Sequence, residues 1–181
     1  MHIQKTLVYF HGYGSNRQSR KFLNLQSAMK EVEMIAFEWT PDTNFKDYMN
    51  IAFAAVANTQ EVIVVGDSAG ANFAYQLREM RQTHGLKTIL VLTSPLLNYT
   101  NQLRVPVPIT DNLQNALVVI PQVSDALLLL AKNDEVLDFT QYDIYNQPNT
   151  VVVYVDDNHQ LERFEAYIGY IKAYIGEQET H

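Results

Sequence analysis

Six short apolar, β-branched or aromatic runs punctuate the chain, at Thr6–Phe10, Met34–Trp39, Glu61–Val65, Thr88–Leu92, Ala126–Ala131 and Val151–Val155. Runs this short and this continuously apolar suit strands buried on both faces, as in a parallel sheet. Between most of them the period changes. Over 19–30, Phe22, Leu25 and Met29 share one helical face, 45–57 is rich in Ala and apolar residues, and 69–80 also reads as a helix. Over 160–175, Leu161, Phe164, Ile168, Ile171 and Ile175 recur at steps of three and four, an amphipathic stripe. The alternation predicts an α/β fold in one domain over 1–181, a three-layer, doubly wound, mostly parallel sheet of about six strands.

One connection breaks the rhythm. Residues 95–124 carry Pro95, Pro106, Pro108 and Pro121 among mixed polar and apolar positions. A connection that long is commonly functional or an extra element. Two readings stand, a small lid or pocket wall containing Leu96, Leu97, Tyr99 and Leu103, and an irregular crossover with a short helix near 111–116.

The third run leads into Gly66-Asp67-Ser68-Ala69-Gly70, and a helical stretch follows it. Strand, Gly-x-Ser-x-Gly, helix is the sequence form of a nucleophile elbow, which holds a serine on a strained turn with its hydroxyl clear of the backbone. Gly66 and Gly70 are expected where strand and helix approach too closely for a side chain.

A serine hydroxyl needs a base, and histidine ionises in the useful range. Of five histidines, His2 and His181 lie at the ends, His84 belongs to the far end of the elbow helix, and His11 sits in a His-Gly loop after the first strand. His159 follows the last strand in Asp156-Asp157-Asn158-His159, at the carboxyl edge that the elbow also occupies. A carboxylate should orient that imidazole. Asp134, just past the fifth strand, is favoured. Asp138 is the alternative, and its plainer role is the N-cap of a helix through Phe139–Tyr145. Glu135 lies nearby, and Asp67 is expected to bond locally. The chain order Ser…Asp…His is that of α/β-hydrolases.

An oxyanion needs two N–H donors. The Ala69 amide, directly after the serine, supplies one. The loop His11-Gly12-Tyr13-Gly14-Ser15 supplies the other, taken as the Tyr13 amide, with Gly12 letting the backbone come close to a substrate. Trp39 and Leu97 are candidate substrate contacts, with core packing as the alternative for Trp39. Arg17, Arg20 and Lys21 read either as an attraction for an anionic substrate group or as a solvated helix face.

Composition narrows the class further. The 181 residues are 47% hydrophobic and 18% charged, with net charge −7. An acidic chain is a poor partner for nucleic acid or an anionic membrane. It has no cysteine, which removes disulfides, thiol nucleophiles and thiolate metal sites. No apolar run approaches membrane-spanning length, and Leu7–Phe10 is too short for a signal-peptide core, so a cytoplasmic protein is expected.

From Phe10-His11-Gly12-Tyr13-Gly14 through Gly66–Gly70 to Asn158-His159, the chain resembles the α/β-hydrolase superfamily. Its short length, its start at the His-Gly strand, the stretch Asn133–Asp138, and Asn158-His159 followed by Phe164-Glu165 are most similar to the small YqiA-like bacterial esterases. The resemblance implies a minimal sheet of order 2-1-3-4-5-6 and cofactor-free, metal-free hydrolysis of a small-molecule carboxylic ester or thioester. It also implies Ser68, Asp134 and His159 as a triad with Tyr13 and Ala69 as oxyanion donors. The chain is too short for the superfamily's usual first two strands, and its lid region is small. A non-catalytic binding protein of this fold and an acyltransferase with the same triad are the rival readings.

Overall fold

The computed structural model describes residues 5–142 and 147–179. The elements in chain order are β1 (Thr6–Phe10), α1 (Arg20–Ala28), β2 (Glu33–Phe37), α2 (Phe45–Val56), β3 (Glu61–Asp67) and α3 (Ala69–Gln82). They continue with β4 (Lys87–Thr93), α4 (Asp111–Ala116), β5 (Ala126–Asn133), β6 (Val151–Asn158) and α5 (Phe164–Glu179). All strand pairings are parallel and the order is β2-β1-β3-β4-β5-β6, as the resemblance implies.

Burial follows from that order. Every residue of central β1 is buried, whereas β2 and β6 form the edges and are partly exposed. Alternate side chains of the strands feed two cores. Val8, Val62, Val64, Leu90 and Leu128 pack against α2 and α3, and Leu7, Ile63, Val65, Val91 and Leu129 pack against α1 and α5. β1 lies between β2 and β3, so the chain leaves its carboxyl end on one side and returns beside it on the other. That is a topological switch point, where open α/β sheets form a crevice.

Local chemistry sets the element ends. Ser19 caps α1 by accepting the Phe22 N–H at 3.3 Å, and Asn44 caps α2 by accepting the Asp47 N–H at 3.3 Å. Ser68 stands at the cap position of α3, yet its side chain makes no capping bond.

Several boundaries depart from the sequence reading. β2 ends at Phe37, so Trp39 lies beyond the strand. β6 runs on through Asp156, Asp157 and Asn158, which read as loop because they are polar. Their register is carried by pairing across a bulge near Ala131 and Asn133 of β5. α5 starts only at Phe164. No helix follows Asp138 over 139–142, and the rest of that expected helix lies outside the described residues. Between 95 and 124 the chain is irregular apart from α4. Two buried amides fix this crossover. Asn72 donates to the Leu96 and Val118 carbonyls at 3.2 and 2.8 Å, and Gln102 accepts the Leu97 N–H at 2.6 Å. No described helix is long and apolar enough to cross a membrane.

Candidate active site

The turn between β3 and α3 carries the strain expected of an elbow. Ser68 has φ 52° and ψ −118°, a conformation costly for a residue with a Cβ. Its N–H donates to the Thr93 carbonyl at 3.0 Å, and its carbonyl accepts the N–H groups of Ala71 and Leu96 at 3.1 and 3.0 Å. Close approach explains the flanking glycines. A Cβ on Gly70 would lie 2.3 Å from the carbonyl oxygens of Phe10 and His11, and one on Gly66 would lie 2.5 Å from Ala71 Cα and Ala74 Cβ.

The Ser68 hydroxyl is occupied elsewhere than at the helix cap. His159 Nε2 lies 3.0 Å from Ser68 Oγ, and His159 Nδ1 lies 3.0 and 2.9 Å from the two oxygens of Asp134. Because Asp134 only accepts when ionised, Nδ1 carries the proton and Nε2 is left to accept from Ser68. Burial works to raise the Asp134 carboxyl. The hydrogen bond and charge of His159, with the amides of Leu137 and Val136, outweigh it and hold the carboxyl below its ordinary value. Those amides donate to Asp134 Oδ1 at 2.7 and 2.9 Å.

The alternatives to Asp134 are placed differently. Asp138 accepts from Thr140 N and Oγ1 and from Arg104, so it is engaged locally. Glu135 accepts the backbone N–H of His159 at 3.0 Å, a supporting contact the sequence did not suggest. His84 sits at the far end of α3, and His2 and His181 lie outside the described residues.

Ser68 and His159 open onto a cavity of about 320 Å³. Gly12, Tyr13 and Ala69 line it. Ala69 begins α3, so its N–H has no acceptor within the helix. The Tyr13 hydroxyl donates to the Pro108 carbonyl at 2.7 Å, which ties the β1 loop to the crossover above the cavity. One wall is apolar, built from Leu96, Leu103, Val107, Ile109, Leu113 and Leu137. The polar lining is Ser15, Ser19, Arg20, Lys21, Asp67 and Gln160.

Trp39 and Leu97 are not among the lining residues. Both are core, 3% and 2% exposed. Trp39 instead buttresses the β1 loop. Its indole N–H donates to the His11 carbonyl at 2.9 Å, its backbone N–H donates to His11 Nε2 at 3.1 Å, and the two rings stack 5.3 Å apart. His11 Nδ1–H is then left to meet the Gly12 carbonyl at 2.8 Å. The three cations near α1 are also engaged. Arg17 pairs with Glu38 at 3.3 Å, Arg20 donates to backbone carbonyls after His159, and buried Lys21 pairs with Asp67.

Several solved structures share this fold. The chain is similar to alpha/beta hydrolase domain-containing protein 10 from mouse, at 12% identity and TM-score 0.69, covering 96% of this chain and 90% of that one. It is likewise similar to the type II thioesterase BorB from the borrelidin biosynthetic cluster, at 13% identity and TM-score 0.69, covering 96% and 92%. The chain has the α/β-hydrolase fold. Est1E from Butyrivibrio proteoclasticus is a further α/β relative in shape, at 14% identity and TM-score 0.66, covering 98% and 89%. Residues 101–176 match the model of an uncharacterised protein family, UPF0227, a stretch that includes Asp134 and His159 and begins after Ser68. Among curated proteins none matches the sequence significantly.

Proposed function

We propose that this α/β-hydrolase fold is a serine hydrolase cleaving carboxylic esters or thioesters through an acyl-enzyme. The observation that carries the reading is the unbroken hydrogen-bonded sequence Ser68 Oγ, His159 Nε2, His159 Nδ1, Asp134, opening on a cavity. A thioesterase among the structures of similar shape agrees with it.

His159 Nε2 takes the hydroxyl proton as Ser68 Oγ attacks the acyl carbon, and Asp134 stabilises the imidazolium that forms. The carbonyl oxygen becomes an oxyanion received by the Ala69 and Tyr13 amides. His159 passes its proton to the leaving oxygen or sulfur as that bond breaks. A water then gives a proton to His159 as its oxygen attacks the acyl carbon, and His159 returns that proton to Ser68 Oγ as the acyl–Oγ bond breaks, releasing the acid and restoring the free serine. The apolar wall suits the acyl chain. The polar lining of Ser15, Ser19 and Gln160 suits the leaving group.

The test is turnover of p-nitrophenyl acetate, followed by a panel of esters and thioesters of graded acyl length. Ser68→Ala is expected to abolish release in every case. Full turnover by Ser68→Ala contradicts the reading. Product analysis with added alcohols or thiols separates hydrolysis from transfer to another acceptor.

A further inference from the structure

Two cations on adjacent positions of α1 hold, between them, the turn that carries Ser68 and the loop that follows His159. Lys21 is 5% exposed, and its ammonium donates to Asp67, the residue before Ser68. Asp67 Oδ1 also accepts from Thr93 Oγ1 at 2.7 Å. A buried ammonium left without its carboxylate is strongly destabilising, so this pair fixes where the turn can lie relative to α1.

Arg20 faces the other way. Its Nη1 donates to the Glu162 carbonyl at 2.6 Å, and its Nη2 to the carbonyls of Gln160 and Leu161 at 3.1 and 3.0 Å. A planar guanidinium fork suits carbonyls converging from one turn, which a single ammonium does not span. The loop it grips is strained. Leu161 has φ 47° with its side chain fully buried, a conformation that persists only where surrounding contacts over-determine it. The N–H groups of the same loop are held by carboxylates. Asp157 accepts from Asn158, Glu162 and Arg163, and Glu135 accepts from His159. Arg20 is the cationic counterpart on the carbonyl side.

We propose that Arg20 and Lys21 are positioning residues, a clasp in the first turn of α1 that sets the distance between Ser68 and His159. The proposal rests on the catalytic roles given above to those two side chains. Because the anchors are consecutive residues of one capped helix, their separation is fixed by helix geometry. The Ser68–His159 contact inherits that rigidity. Neither cation touches the reacting atoms. Their effect runs through Asp67 on one side and through the backbone after His159 on the other.

The experiment compares the full chain with Arg20→Ala, Arg20→Lys and the control Arg17→Ala, whose pair with Glu38 lies on the surface. Loosening the clasp misplaces the base, and although Arg20 lines the cavity its two Nη groups are engaged with the loop carbonyls rather than left for a substrate. Arg20→Ala should therefore lower kcat by about tenfold to a hundredfold while KM stays within about twofold. Arg20→Lys should fall between, and added guanidinium should restore part of the rate of Arg20→Ala only. The double variant Lys21→Met/Asp67→Asn, which leaves no unpaired charge, should show the same split of kcat from KM. A second readout is independent of turnover. The downfield proton resonance of His159 Nδ1–H should weaken in Arg20→Ala and persist in Arg17→Ala. Unchanged kcat in Arg20→Ala, with turnover that still requires Ser68, overturns the clasp alone. A resonance that responds to Arg20→Ala in a protein without Ser68-dependent turnover overturns the hydrolase reading and leaves the clasp standing.

Discussion

Gly70→Ala tests how tightly the nucleophile turn is built against β1. The added Cβ would lie 2.3 Å from the carbonyl oxygens of both Phe10 and His11 and 2.7 Å from Phe10 C. Ordinary contact begins at 3.4 Å, so something must move by about 1 Å. The opposing atoms are backbone at the end of a fully buried central strand, where no side chain can swing away. Overpacking of this kind costs about 1–3 kcal/mol, and here the upper end is expected. The displaced segment also carries His11, Gly12 and Tyr13, so the proposed oxyanion loop shifts against Ser68. A 1 Å misplacement can lower kcat by about a hundredfold. Urea unfolding gives the first quantity and turnover of an activated ester the second. Gly169→Ala is the matched control, because Gly169 lies on the exposed face of α5 with nothing near its absent Cβ. There the change should stabilise by about 0.5–1 kcal/mol. A Gly70→Ala protein as stable and active as the parent would refute the reasoning.

Other expectations follow from the same geometry. Asp134→Asn should lower kcat by about four orders of magnitude, because an amide cannot hold the Nδ1–H tautomer of His159. Asp138→Asn, which removes a carboxylate engaged with Thr140 and Arg104, should leave kcat within about twofold. Burial lowers the pKa of His11 from 6.5, against the opposing effects of the Gly12 carbonyl, Glu38 and Asp67. The unfolded chain therefore takes up that proton more readily, and stability should fall as pH drops below 6.5 toward the folded-state value. Urea midpoints across pH should show this slope, and His11→Gln should flatten it. At lower pH the depressed Asp134 contributes a second loss, beginning below 3.8 and completed as pH passes through its folded value.

Much of this was readable from the chain. Strands buried on both faces announce themselves as apolar runs, and β1 appeared with its bounds intact. Ser68, Asp134 and His159 stood out because chain order places each just past the carboxyl end of a strand. What failed was the direction of side chains. Trp39 and Leu97 occupy the right stretches of sequence, but only the packing of Phe45 and Phe73 around Trp39 shows that its ring points into the core. Asp156, Asp157 and Asn158 read as loop because polarity masks a strand at a sheet edge. Arg20 and Lys21 read as a solvated helix face or an anion site. Their partners lie in the β3–α3 turn and in the loop after β6, far away in sequence, and one-dimensional pattern carries no trace of them. The buried amides of Asn72 and Gln102 were silent for the same reason.

The central claim is that Ser68 is a nucleophile activated by His159. Intact-mass analysis after exposure to a fluorophosphonate probe tests it most directly. The account predicts one adduct per chain, mapped to the peptide containing Ser68, absent in Ser68→Ala and formed far more slowly in His159→Ala. No adduct on the parent protein, or an equal adduct on Ser68→Ala, would contradict it.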